Sequence, residues 1–550
     1  MKAGHVQNED GSNYNLDNNT TKDVEPQKIF TEIDKNLDFL KYKYNALICN
    51  DVIIREFSLL AQNIEYKAFV MYIDGMVDSP VINEFILSPL MMRNRTNIFD
   101  DKQKKFVSEK KIDNVTLKNF KKSKEKNLVD FIYNSLIPQN SVDKVTDFSD
   151  VYSAINMGNC MLFVDSLDTA FNLDVKGFKQ RNIDSPSNEV VVRGSQEAFV
   201  ENIRTNTSMI RRLVNNENLV METLTVGQIT KTQVSIGYIK SLANEDLVAE
   251  VRYRINNLSV DYLISSGQLE QLIQDSPESL FPQMVATERP DKVSNYLLEG
   301  RVIIIVNGSP YVLVAPGVFV DFITSPEDLN LKYQFSNMQK LIRLLAIFLS
   351  LLLPGIYIAI TNYHQELIPT ELLFTIAAAR ESVPFPTFVE ILLMEISFEL
   401  IREAGLRVPT PLGSTIGIVG ALILGEAAVS ASLVSPVLII IIAITGICSF
   451  SIPDFSLNFT FRIYRFIYII LGYVAGFLGI SVVLFIQLVI MCKLKSFGSP
   501  YITPYILNKN KRSISSYFIP PIWKRERTSV FLHAQKKFSQ KKISMVWRKK

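Results

Sequence analysis

Histidine is nearly absent from this chain, with only His5, His364 and His533 in 550 residues. That scarcity excludes a histidine-dependent catalytic triad and a histidine-rich metal centre. Cysteine is scarce too. Cys49, Cys160, Cys448 and Cys492 are scattered, with no CxxC or other ligand spacing, so neither a zinc site nor a disulfide framework is expected. A phosphate-cradling GxxxxGK[ST] loop is missing, and no GxSxG or SxxK nucleophile sits in a strand–turn–helix setting. The expectation is a protein that is not an enzyme and needs no cofactor or metal. The opening residues are polar and Asn-rich rather than apolar, so the soluble body is expected to stay in the cytoplasm.

What the chain has in quantity is apolar sequence, gathered toward its C-terminal part. Long runs cover about 341–361, 412–433, 435–452 and 463–491. Each is close to the ~20 residues that cross a bilayer's hydrocarbon core, and the last is long enough to cross with tilt. Four spans put both ends of the chain on one side. The charge distribution agrees. From Lys493 to the end there are fifteen Lys/Arg and one acid, a net of +14, which against +3 for the whole chain leaves −11 for the rest. A polybasic tail next to the last apolar run belongs on the cytoplasmic side against anionic headgroups, and its membrane-adjacent place argues against nucleic acid as its partner. Four spans leave Arg462 and Arg465 outside, against the same tendency; a fifth span at 384–404 repairs that pair but expels the tail.

The fold class expected is two-part. A cytoplasmic α/β (α+β) N-terminal region of two domains precedes an all-α polytopic membrane domain. Residues 1–27 read as a disordered Asn-rich tail, 28–193 and 194–330 as soluble domains, 331–492 as the membrane domain and 493–550 as a basic tail. In the first domain Asn36 to Tyr44 is patterned as a helix, and Ala68 to Ile73 and Cys160 to Asp165 as strands. The lysine-rich stretch 101–127 reads as a solvated helix face or loop. In the second domain helices are expected over Gln196 to Leu213 and Asn244 to Ile255, and strands over Thr232 to Ile239 and Tyr262 to Ile264. Arg301 to Phe319 reads as two β runs around the Asn307-Gly308 turn. The segment Thr287 to Asp291 (TERPD) reads as a salt-bridged turn at the domain edge, against the alternative of a site.

Three patterns in the apolar part carry chemistry. Pro354-Gly355 should kink the first run. Over 384–404 a helical wheel gathers Glu395, Glu399, Arg402 and Glu403 within about a 100° sector. That acidic face is either an interfacial amphipathic surface or the wall of a water-filled vestibule. Along 412–433, Gly413, Gly417, Gly420, Ala427, Ala428 and Ala431 form a small-residue stripe suited to helix packing. Thr415, Leu422, Glu426, Val429 and Leu433 lie opposite, and an ionisable group there points to a bundle interior or aqueous pore. Glu426 serves either as interhelical glue or as a pore charge.

These runs resemble the A subunit of the spore germinant receptors, the GerA spore-germination family. The resemblance rests on VVRGSQEAFVENIRTNTSMIRR (191–212), FPQMVATERPDKVSNYLLEGR (281–301), VNGSPYVLVAPGVF (306–319), LPGIYIAI (353–360), RESVPFPTFVEILLMEISFELIREAGLRVPTPLG (380–413), IVGALILGEAAVSASLVSP (418–436) and SFGSPY (496–501), in that order. It implies soluble domains in the spore core, a membrane domain in the spore inner membrane, and action with a permease-like B subunit and a lipoprotein C subunit. It further implies a homo-oligomeric ion channel that opens on nutrient sensing and releases monovalent cations. Within that reading Thr415, Leu422, Glu426, Val429 and Leu433 line the pore, with Leu422 or Val429 as an apolar constriction. A stage V sporulation paralogue that amplifies ion release is the alternative inside the family. A secondary transporter is the alternative outside it, and no inverted repeat or paired broken helices favour it.

Overall fold

The computed structural model describes residues 27–61, 64–91, 128–177, 193–407 and 425–503, with isolated positions between 186 and 191 and beyond 518. The N-terminal tail, the lysine-rich stretch and nearly all of the basic tail lie outside the described residues. Two compact units emerge: residues 1–40 with 53–177, and residues 41–52 with 178–550. Residues 41–52 group with the second unit rather than the first. Asn50 N donates to Met221 O (3.3 Å), and the buried Asp51 carboxylate pairs with buried Arg211, Arg211 Nη2 lying 2.8 Å from Oδ1.

Helix α1 (Ile33–Lys43) opens the first unit and buries Ile33, Leu37 and Leu40 on one stripe. Strands β1 (Val52–Ala61), β2 (Ile64–Ile73), β3 (Val142–Val145), β4 (Cys160–Val164) and β5 (Ala170–Leu173) form a sheet in the order β1-β2-β4-β5-β3. Helix α2 (Phe148–Asn156) connects β3 to β4. Strand β4 is buried at every residue, as a central strand covered on both faces should be.

The soluble part of the second unit repeats this plan. Helix α3 (Ile203–Leu213) precedes strands β6 (Leu219–Val226) and β7 (Thr232–Ile239). Helices α4 (Glu245–Asn256) and α5 (Ser266–Ile273) follow, then β8 (Val285–Thr287), α6 (Pro290–Glu299), β9 (Val302–Val306) and β10 (Val312–Ala315). The sheet order is β6-β7-β9-β10-β8, the same topology as in the first unit. Single hydrogen bonds repeat as well. Phe30 N donates to Asn36 Oδ1 (2.9 Å) and Asn36 Nδ2 to Phe30 O (2.6 Å). Val200 N and Asn206 do the same at 2.9 and 2.5 Å. Ile33 N donates to Asp165 Oδ1 (3.2 Å), Ile203 N to Asn307 Oδ1 (3.3 Å). Ser166 N donates to Thr31 O, Gly308 N to Glu201 O. Ser166 and Gly308 both have positive φ, 66° and 89°. The two domains are one architecture used twice.

Tyr262 to Ile264, expected as a strand, is an extended connection without a ladder. Its backbone is held by other means: Thr230 Oγ1 accepts from Leu263 N, and Leu263 O accepts from Thr232 Oγ1. The Asn307-Gly308 hairpin forms as expected, with Val312 opposite Ile305.

Helices α7 (Tyr333–Tyr363), α8 (Thr370–Arg380), α9 (Thr387–Arg407), α10 (Pro436–Phe450) and α11 (Phe455–Lys493) make up the apolar part. Among the described residues, α7 and α11 are long and apolar enough to cross a membrane, and α10 is a shorter apolar helix. Helix α7 runs on through Pro354. Helix α11 is not one rod. At Gly476 the backbone leaves helical geometry (φ 56°, ψ −139°) and the chain folds back. Tyr468 Oη lies 2.7 Å from Gln487 Oε1, whereas 19 residues of straight helix would separate them by about 28 Å. The run 463–491, expected as one crossing, therefore holds most of two antiparallel arms, 455–475 and 477–493. The sequence hides this because Gly476 sits inside unbroken apolar residues.

The arms have a far end and a near end. At the far end Tyr363 Oη donates to Tyr473 O and Val474 O at 2.7 and 2.9 Å, and Phe388 stacks on Tyr473. At the near end Phe281 of the soluble domain packs on Phe461 and Tyr464 of the first arm, and on Tyr501 just past the second. Helix α9 runs from far to near end: Phe388 meets Tyr473, while Glu399 meets Arg462. Helix α10 runs the same way, from Ser435 beside Glu390 to Ser449 beside Arg402.

Candidate functional site: a charge ladder and its collar

Helix α9 carries the acidic face expected from the sequence, but that face does not stay together as one surface. Glu395 is fully buried (0% exposed), Glu399 is partly buried and Glu403 is exposed. Arg462 and Arg465, three apart on the first arm of α11, explain the division. Arg465 Nη1 lies 3.1 Å from Glu395 Oε2, and Arg465 also donates to Ser350 O and Oγ of α7, each at 2.8 Å. Arg462 pairs with Glu399. Arg402 reaches across to Ser449 Oγ of α10 (2.7 Å) and lies between the rings of Phe398 and Phe450. Four helices are joined by one ladder of charges. Glu395 accordingly does not belong to a solvated interfacial face.

The two arginines of α11 lie on the arm before the fold-back, and each is bound to an acid of α9. Buried ion pairs are costly to form, and in an apolar surround costlier still, so the ladder adds little net stability for its burial. Glu395 Oε1 and Arg402 Nε are buried without hydrogen-bond partners among the described residues, and Arg402 Nη1 faces Glu399 Oε1 as an ion pair at 3.6 Å.

A collar ties the roots of the long helices to the second soluble domain. Arg343 of α7 donates to Ile323 O (2.7 Å) and Asp328 Oδ2 (2.9 Å), and Ser336 Oγ donates to Asp328 O (2.8 Å). Thr460 Oγ1 of α11 donates to Leu280 O. Beyond the second arm, Ser496 Oγ donates to Gln283 O (2.6 Å) and accepts from Gly317 N (3.1 Å). Tyr501 is fully buried against Phe281, Phe319 and Phe322. This explains SFGSPY: its serine and tyrosine fasten the hairpin to the sheet domain. TERPD is the salt-bridged turn expected of it. The wholly buried Arg289 binds Asp291 and the carbonyls of Glu189 and Ser195.

Of the expected pore-lining and packing residues, Thr415, Leu422, Gly413, Gly417 and Gly420 lie outside the described residues. Residues 425–430 are helical. Glu426, Ala427, Ala431 and Leu433 are exposed on the single chain, whereas Ala428 is buried and Val429 packs partly against the cluster formed by α9 and α10. The ladder partners Arg462 and Arg465 were visible in the sequence only as topological misfits. Their three-residue spacing, matched by Glu395 and Glu399 four apart, was the signal available.

An α/β domain fastened to long apolar helices that carry a buried charge ladder is the architecture of a membrane-associated protein. The family model "Bacillus/Clostridium GerA spore germination protein" matches residues 38–530. The chain belongs to the GerA spore-germination family. It is 37% identical over 517 residues to "Spore germination protein KA" of Bacillus subtilis (strain 168), covering 94% of this chain and 90% of that protein. "Spore germination protein B1" of the same organism is 35% identical, with 87% and 92% covered. "Spore germination protein GerLA" of Bacillus cereus is 39% identical, with 66% and 74% covered. A crystal structure of the N-terminal domain of the A subunit of the Bacillus megaterium spore germinant receptor GerK3 matches at 29% identity and TM-score 0.37, over 54% of this chain and 99% of that one.

Proposed function

We propose that this chain is the A-type membrane subunit of a nutrient germinant receptor in the spore inner membrane. Copies of it surround a path that opens to release monovalent cations at the start of germination. It works with a permease-like B subunit and a lipoprotein C subunit, its soluble domains on the core side. The observation that carries the channel reading is Glu426: a carboxylate exposed on an apolar helix, with no ion-pair partner among the described residues. In a membrane such a group requires water or another chain. Ala427 and Ala431 are exposed beside it and offer the small surface on which a second copy packs closely. In this reading Thr415, Leu422, Glu426, Val429 and Leu433 face the path, Glu426 attracts cations, and the collar carries motion from the soluble domains to the helices.

The test is potassium efflux from dormant spores carrying wild type, Glu426→Gln or Val429→Ala, with protein levels matched. Glu426→Gln should slow nutrient-triggered efflux severalfold, and Val429→Ala should leak without nutrient. Unchanged efflux in both variants would remove this helix from the conducting path.

A further inference from the structure

The segment that follows the second arm of α11 forms more than a fastening. Strands β11 (Lys495–Ser496) and β12 (Ser499–Pro500) pair across a two-residue turn, Phe497-Gly498, in which both residues have positive φ, 45° and 79°. Glycine adopts this readily and phenylalanine does not. The unfavourable backbone at Phe497 is offset by its ring, which is buried and lies 4.4 Å from the Arg254 guanidinium. Between this turn and the soluble domain lies an open cavity of about 530 Å³, lined by Glu250, Arg254, Asp275, Lys493, Lys495 and Phe497.

Its charges are not balanced. Arg254 binds both acids, with Nε 2.8 Å from Glu250 Oε1 and Nη2 2.5 Å from Asp275 Oδ1. Lys493 and Lys495 are exposed and have no ion-pair partner among the described residues. Two ammonium groups therefore overlook a cavity whose two carboxylates both bind Arg254, and the lining as a whole carries a net charge of +1. Lys493 is also the last residue of an arm that is apolar up to Met491. If that arm lies in a bilayer, as the function proposed above requires, Lys493 and Lys495 stand at the headgroup level. The cavity then opens where a lipid phosphate is found.

We propose that this cavity binds the headgroup of an anionic phospholipid, with Lys493 and Lys495 contacting its phosphate and the Phe497 turn forming the floor. The inference rests on the membrane reading of α11. Bound lipid would brace the junction between the second soluble domain and the hairpin, placing the collar under the control of membrane composition.

The test uses the full chain reconstituted in phosphatidylcholine vesicles with or without about one-fifth phosphatidylglycerol. Lipid retained by the detergent-extracted protein is counted by native mass spectrometry. Wild type should keep phosphatidylglycerol in preference to phosphatidylcholine. Retention should fall roughly fivefold for Lys495→Gln and about thirtyfold for Lys493→Gln with Lys495→Gln. The basic tail is common to all three proteins and cancels in the comparison. Equal retention by wild type and both variants would overturn the site, as would displacement of the lipid by millimolar inorganic phosphate, which would make it a soluble-anion site. Failure of the chain to float with either vesicle would instead overturn the membrane reading itself.

Discussion

Tyr468 and Gln487 are joined by a 2.7 Å hydrogen bond inside what the sequence presents as one continuous apolar run. The bond holds two antiparallel arms together and returns the chain to the side from which it came. Cys492, which is exposed, should then react with a membrane-impermeant maleimide from the side that holds the soluble domains. An Asn362→Cys variant, at the far end, should react only from the other side. Labelling of both from one side would refute the fold-back.

Gly476 is the pivot. Its φ of 56° with ψ of −139° is a conformation that only glycine adopts without strain, and an added Cβ would meet the Tyr363 ring at 3.2 Å. Gly476→Leu should lower the yield of folded protein several-fold in a membrane extraction assay. Wild-type yield would mean that the turn has another support.

Glu395 and Arg465 are buried partners, so removing one should cost more than removing both. Glu395→Ala or Arg465→Ala should each destabilise by about 3–5 kcal/mol, and Glu395→Leu with Arg465→Leu by clearly less. Unfolding of the full chain in mixed micelles reads the difference. Additive losses would show that the pair does not act as a unit.

Asn36 and Asn206 make the same pair of backbone hydrogen bonds in the two domains. Asn36→Ala and Asn206→Ala should each cost about 1–2 kcal/mol, since the half-buried backbone groups of Phe30 and Val200 lose their partners. Hydrogen exchange should rise in the first domain for one variant and in the second for the other. Matching exchange maps would contradict the equivalence.

Glu270 on α5 is held protonated up to about 7 by burial and, secondarily, by the neighbouring Asp454. Its ordinary value is 4.5, so between those limits the folded chain binds more protons than the unfolded one. Stability is then greatest below pH 4.5 for this group and falls as pH rises through 7, by up to about 3 kcal/mol. Glu270→Gln should flatten the melting temperature of the full chain between pH 5 and pH 8. A profile identical to wild type would show that Glu270 does not titrate there.

Strand Thr232–Ile239 and the Asn307-Gly308 hairpin were legible because β-branched alternation and turn chemistry act within a few residues. Helix α4 was legible through its Asn244 cap, whose side chain accepts from Asp246 N. The repeat of the two domains was not, since equivalent positions such as Ile29 and Phe199 keep only apolar character, and topology is preserved by hydrogen bonds between distant residues. The acidic face of α9 was visible, but not its division.

The sequence by itself determined the two-part layout, the basic end of the chain and the positions of most strands and helices, because each follows from local composition or period. Only the tertiary structure decided that α11 doubles back, that Glu395 is buried against Arg465, and that SFGSPY fastens the hairpin to the soluble domain. Those outcomes depend on partners about 20 to 215 residues apart, and no local pattern encodes which charge or carbonyl will meet which.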